Sequence, residues 1–286
     1  MSAFKKILVP FDDNIKSIAA LEYAAMFASG IDAKITALHL ADPKDYHSKS
    51  EFKKDLTLLV DDKLRPKLEA IQKNYSDIRK IDVQIRGIDR PIHQHIIDFA
   101  LENEIDFIVM RSHGLPDANE WELHFKSTNA YNVVLDAPCP VFTFTQIPIN
   151  PKIKNILVPL DISEGSLDKL PLAITISKQL GATLHILSAA EHQVDVEQLQ
   201  LQLDEMNEEL IEQGISVIKN EIHHSTLEAA INLYVKDVSI DLVMIMSRPG
   251  FRWSDLWISP KAKRLISHSN IPVMSIRSNK PLDDDL

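Results

Sequence analysis

Two aspartates, Asp12 and Asp161, each close a short apolar run, ILVPFD and ILVPLD. A carboxylate at the end of a buried strand can accept hydrogen bonds from a ligand lying beyond the strand's carboxyl end. It can equally cap the helix that follows, where negative charge suits the exposed N–H groups. Both readings stand at this level. Eleven histidines invite a metal hypothesis. His93 and His95 lie two apart on an expected helix, a spacing that points them to different sides, and the adjacent His223 and His224 face opposite ways on a strand. His113 and His124 have no cysteine or carboxylate cluster to complete a zinc site, so histidines at the surface or at helix ends are expected and no metal. Cys139, between Pro138 and Pro140, is the chain's single cysteine. It reads as an inert, partly buried thiol at the start of a strand, and it excludes an intrachain disulfide framework. No G-x-S-x-G elbow, H-E-x-x-H, Walker loop or G-x-G-x-x-G appears, so the residues point to a protein that is not an enzyme.

The segments that must hold these residues form a repeat. KKILVPFDDNIKS at 5–17 returns as IKNILVPLDISEGS at 153–166, placing Asp12 and Asp161 149 positions apart. NEIDFIVMRSHG (103–114) returns as VSIDLVMIMSRPG (238–250), and DAPCPVFTF (136–144) as HSNIPVMSI (268–276). Three matches in one order mean a duplicated domain. The expected boundaries are 1–146 and 154–278, with a linker at 147–153 inside the proline-bearing TQIPINPKIK and an acidic tail at 279–286. In the first copy the strands are FKKILVPF, KITALHL (34–40), IDVQIRG (81–87), IDFIVMR (105–111) and CPVFTF (139–144). Helices are expected over 14–29 with Gly30 as C-cap, within 50–74, over 92–103 and over 126–136. Five strands separated by helices require crossovers, hence an α/β fold with a parallel sheet and helices on both faces of each domain. Pro140 and Pro272, at the starts of the last strands, mark those strands as edges where the two copies could dock as an intramolecular pseudo-dimer, or two chains as a homodimer.

Composition sets the class of partner. The chain has 286 residues, 45% hydrophobic and 25% charged, with a net charge of −10. An acidic surface opposes the counterion release that drives nucleic-acid binding, so no nucleic acid is expected. No stretch approaches the roughly 20 apolar residues of a membrane helix. The N-terminus runs straight into a strand with no apolar signal core, and with the lone cysteine this points to the cytoplasm.

ILVPFD and ILVPLD at the first strand, LHLADP after the second, DFIVMRSHG at the fourth and DAPCPVF at the fifth resemble the universal stress protein family, over nearly the whole chain. The resemblance implies two tandem Rossmann-like (adenine nucleotide alpha hydrolase-like) domains and a cytoplasmic role in stress survival. For the nucleotide-binding branch it implies ATP held by a loop G-x2-G-x9-G-[S/T] after the fourth strand, with Asp12 and Asp161 accepting hydrogen bonds from ribose or adenine. Glycines let the backbone approach phosphates, and amides and a hydroxyl hold the anion. In the first copy Arg111 takes the first glycine's place, Gly114 the second and Lys126 the third, followed by Ser127 and Thr128, with eleven residues intervening instead of nine. In the second copy the first place is Met246 or Ser247, Gly250 stands for the second glycine, and Ser259 or Pro260 for the third. Neither loop matches. A cation at Arg111 or Lys126 could replace lost donors, or Arg111 could pair with Asp12 or another carboxylate. Trp121, Trp253, Trp257 and the basic stretch 252–264 fall in the altered loops, as a lid or as local packing. The expected function is therefore a non-enzymatic stress-response protein acting through an unknown protein partner. An ATP-binding regulator using the first domain is the alternative, and a weak nucleotide hydrolase a second.

Overall fold

The computed structural model describes residues 4–11, 19–29, 31, 33–42, 48, 54, 57–75, 81–112, 129–145, 152–160, 166–190, 214–223, 227–247 and 271–277. The chain divides into two units, Ser2–Pro151 and Lys152–Leu286. In the first, β1 (Lys6–Phe11), α1 (Ala20–Ala28), β2 (Lys34–Ala41), α2 (Arg65–Asn74), β3 (Ile81–Gly87), α3 (Ile92–Glu102), β4 (Phe107–Arg111), α4 (Asn129–Asp136) and β5 (Val141–Phe144) follow in order. The strands pair in parallel as β3-β2-β1-β4-β5. β1 is buried along nearly its whole length, the reason its sequence is a continuous apolar run and not an alternating one. The second unit repeats the plan with β6 (Asn155–Leu160), α5 (Leu170–Leu180), β7 (Thr183–Ala190), β8 (Val217–His223), α6 (Leu227–Asp237), β9 (Leu242–Ser247) and β10 (Val273–Arg277). Its order, β8-β7-β6-β9-β10, matches the first. Each last strand is the edge of its own unit's sheet, and the carbonyls of Pro140 and Pro272 accept from the amides of Ile108 and Val243 (both 3.0 Å).

An aspartate from the repeated Ile-Asp pair fastens each first strand. Asp106 accepts the amides of Lys5 (Oδ2, 2.9 Å) and Lys6 (Oδ1, 3.1 Å). Asp241 accepts those of Lys154 and Asn155 through one oxygen, Oδ2, both at 2.9 Å. Above these clamps the cores differ. The first holds an aromatic cluster in which Phe27 of α1 meets Phe107 edge-on at 5.0 Å and Phe142 at 5.2 Å, while Phe4 stacks on Phe107 at 3.9 Å. The second has buried Ile153, Ile176, Leu242 and Met274 at the same places.

One expectation about the helices changes. The charged helix within 50–74 is not uniform: a π-helical stretch, Leu59–Leu64, precedes α2. Pro66 sits in the first turn of α2, has no N–H to give and crowds the carbonyl four residues back, so the preceding turn widens. α1 ends on Ser29, in extended conformation with its N–H on the Ala25 carbonyl, and Gly30 lies outside the described residues. Gly181 caps α5 in the left-handed conformation (φ 62°), the αL cap that glycine allows.

Candidate ligand crevice

In an open parallel sheet, ligands settle beyond the carboxyl ends of the strands where the strand order reverses. Here that point lies between β1 and β4 in the first domain and between β6 and β9 in the second. On the first domain's rim, His39 at the end of β2 is buried and donates from Nδ1 to the Phe11 carbonyl (3.2 Å), the last carbonyl of β1. β4 ends in Arg111, half-buried, whose Nε donates to the Thr145 carbonyl (3.3 Å). The buried Ser112 donates from its amide (2.9 Å) and hydroxyl (3.2 Å) to the Phe144 carbonyl. The exit of β4 is thus tied laterally to the end of β5.

Among the sequence candidates, Arg111 alone falls within the described residues; Asp12, Gly114, Lys126, Ser127, Thr128, Asp161 and Gly250, like the three tryptophans and the basic stretch, lie outside them. Among the described residues no carboxylate pairs with Arg111, and its polar partner is the Thr145 carbonyl. The strand registers settle the one-residue ambiguity of the second copy. Ile7 pairs with Phe107 and Ile156 with Leu242, so four positions on, Met246 occupies the place of Arg111 and Ser247 that of Ser112. Gly250 then follows Met246 by four positions where Gly114 follows Arg111 by three. The second domain therefore has neither the cation nor the spacing of the first.

A lysine that the repeat alone does not single out enters instead. Lys169 closes a short 3₁₀ turn, Ser166–Lys169, which lies against β6 and β9. It is buried, where the first domain has the buried Ala20, 149 positions earlier. Each domain thus carries a half-buried or buried cation near its crevice, on β4 in one and before α5 in the other.

The remaining chemistry is structural. Cys139 is buried, and burial with Asp106 nearby pushes its thiol up to about 12, so it stays a protonated, unreactive thiol. His95, in the first turns of α3, is buried. Its Nε2 accepts the Asp89 amide (3.2 Å) and lies 3.1 Å from the Asp89 carboxylate, because the turn after β3 folds back over the first turns of α3. Among the described residues no three histidines, cysteines or carboxylates gather as a metal site would. Among the same residues no helix is long and apolar enough to cross a membrane.

The comparisons with known proteins agree with this geometry. The model of the universal stress protein family matches residues 3–144 and 152–277. A universal stress protein of Methanocaldococcus jannaschii is 24% identical over 135 residues, covering 41% of this chain and 82% of that protein. A universal stress protein of Archaeoglobus fulgidus has a crystal structure similar to this one with a TM-score of 0.71 and 20% identity, covering 95% of this chain and 96% of that one. The cytoplasmic domain of a prokaryotic cation chloride cotransporter gives a TM-score of 0.54 and 12% identity, covering 97% of each chain. At these identities the structural likeness is one of fold, and a fold hosts more than one function. The two family matches, one over each unit, establish that this chain belongs to the universal stress protein family and is built from two tandem domains of Rossmann-like fold.

Proposed function

We propose that this chain is a non-enzymatic, cytoplasmic stress-response protein that acts by binding or sequestering a protein partner, its nucleotide loops being degenerate. The observation that carries this reading is the exit of β4. Where the family's nucleotide-binding loop begins with a glycine, the first domain has Arg111, held to Thr145, and the second has Met246. Side chains there occupy the room that a phosphate needs beside bare backbone amides. Hydrolysis would further require a metal ligand set and a water-orienting group.

A second reading rests on the same arginine. Arg111 spends its Nε on Thr145, and the terminal nitrogens of a guanidinium can still offer a fork to an anion. ATP would then sit in the first domain with Asp12, Gly114, Ser127 and Thr128 around it.

Titration calorimetry with ATP, together with mass spectrometry for copurified nucleotide, separates the two. The proposed reading expects no heat of ATP binding at millimolar concentration in wild type. Micromolar binding that Gly114→Glu abolishes would replace it with the second reading, and saturable release of phosphate would make the protein a hydrolase.

A further inference from the structure

At the opposite end of the second sheet from the crevice, four polar side chains are joined in a chain that no function so far uses. The buried His185 of β7 meets the Tyr234 hydroxyl of α6 through Nδ1 (2.6 Å) and the Asn155 amide oxygen of β6 through Nε2 (3.1 Å). Asn220 of β8 donates from Nδ2 to the same Tyr234 oxygen (2.9 Å), and Asn155 donates from Nδ2 to the Ser239 carbonyl (2.9 Å). With Asn155 fixed by the Ser239 carbonyl and Asn220 giving its Nδ2 to Tyr234, the directions of the remaining bonds follow. Asn155 presents an oxygen, so Nε2 carries the ring proton. Asn220 already gives a proton to the Tyr234 oxygen, so the phenol gives its own to Nδ1. The run reads Asn220 to Tyr234 to His185 to Asn155 to Ser239, each group donating onward, and with Asn220 in this orientation it is satisfied only with a neutral imidazole.

We infer that this directed chain is an acid sensor, which protonation of His185 breaks at Tyr234, loosening the β7–β8–α6 corner of the second domain. A proton arriving at Nδ1 makes it a donor. The Tyr234 oxygen then faces two donors, and its own hydrogen loses its acceptor in a buried place, an expensive arrangement. The groups around the ring leave that cost standing. On β8 the residue in register is Ile218, with Lys219 and Glu221 alternating to the other face. On β6 the neighbour is the neutral Asn155, and on α6 it is Tyr234, whose phenol burial keeps protonated. Asp241 alone favours the charged ring, and its carboxylate is already engaged by the amides of Lys154 and Asn155. Burial outweighs it and holds His185 below the ordinary imidazole range.

The direction of the pH effect follows. The opened chain takes up a proton near pH 6.5, the native one only at lower pH, so the contribution of this corner is complete above about 6.5 and is lost as the pH falls below it. The first domain has no histidine there: Thr36 stands in the place of His185, Phe99 in that of Tyr234 and Gln84 in that of Asn220, by strand register and helix position, and the charged groups beside them, Asp82 in register with Thr36 and Lys6 at the place of Asn155, do not change charge between pH 7.5 and 5.5 at their ordinary values.

Hydrogen exchange read by mass spectrometry on the full chain between pH 7.5 and 5.5, corrected for intrinsic exchange, tests this. Protection over 183–190, 217–223 and 227–237 is expected to fall by up to about tenfold per pH unit below 6.5. Protection over 34–41, 81–87 and 92–102 is expected to hold, and His185→Gln, which keeps a donor and an acceptor but cannot protonate, is expected to erase the difference. Long-range ¹H–¹⁵N correlation on the wild type is expected to show the Nε2–H tautomer with titration below the ordinary imidazole range. An Nδ1–H tautomer, an ordinary titration, or an acid-induced loss retained by the glutamine variant would each overturn the inference.

Discussion

At the base of the first domain Lys6 turns outward, its Nζ on the Asn103 carbonyl (3.0 Å) and the Glu104 carboxylate (2.8 Å). At the same place in the second domain Asn155 turns inward to His185. Nearby, the Phe99 ring lies under the Arg86 guanidinium (4.5 Å), whereas Tyr234, at the matching turn of α6, sends a hydroxyl into the core. Both bases hang on the same clamp, the aspartate before β4 or β9 receiving two amides of the first strand. Backbone capture by that aspartate asks nothing of the side chains around it. One copy was therefore free to solvate its base with ions and the other to bury a polar chain there, without a change of sheet order.

The cores sharpen the comparison most. Phe27 is fully buried among Phe4, Phe107 and Phe142, and truncating it removes edge-on contacts as well as area. Phe27→Ala is expected to cost about 4 kcal/mol, and Ile176→Ala, at the matching position of the aliphatic core, about 3 kcal/mol. Urea unfolding followed by domain-resolved exchange reads both. Equal costs would mean that the aromatic geometry adds nothing over volume.

The clamps come next, and they differ in one detail. Asp106 uses both oxygens, one for each amide, while Asp241 gives both amides a single oxygen. An asparagine keeps one oxygen. Asp106→Asn therefore sets an NH₂ group against a backbone N–H and is expected to cost about 2 kcal/mol, whereas Asp241→Asn retains its geometry and is expected to cost about 1 kcal/mol. The reverse order of the two costs would show that charge, and not the count of accepting oxygens, holds β1 and β6 in place.

Much of this plan is legible in the residues, and the limits have physical causes. IDVQIRG gives β3 to the residue, because Gly87 ends it and alternation marks a half-exposed edge. The helix expected over 92–103 is α3, with Pro91 at its N-cap. The place of Met246 needed the sheet, since MSRPG slides against RSHG by one residue and only pairing with β6 fixes the frame. The Thr145 carbonyl as partner of Arg111 was not legible, because only the sheet shows that the edge strand β5 ends level with β4 and leaves that carbonyl within reach; Asp12, the carboxylate named as an alternative partner, lies outside the described residues. The inward chain was hidden because His185 in TLHIL looks like any strand position, and Tyr234 looks like another apolar turn of α6. Its signal was composition across the repeat: histidine and tyrosine in one copy at the places of threonine and phenylalanine in the other.

The finest difference lies in the turn after α3. Glu104 holds a positive φ of 49°, the one such non-glycine among the described residues, and a side chain in that left-handed region costs roughly 1 kcal/mol. The matching turn of the second domain has Ser239 without it. Glu104 is 85% exposed and bonded to Lys6, which holds its carboxyl below the usual range. An exposed pair offsets such strain weakly. Glu104→Gly is therefore expected to raise the melting temperature slightly, and Ser239→Gly to lower it through the added freedom of the unfolded chain. The lowered Glu104 value means that the Lys6 pair supports the fold above the ordinary glutamate range and lets go as the pH falls through the folded value, so the gain from glycine is expected to be larger near pH 4 than at pH 7. Calorimetric scans at the two pH values measure it. A loss at both would place the turn's stability in the Lys6 bridge, and the backbone strain would then be the lesser term.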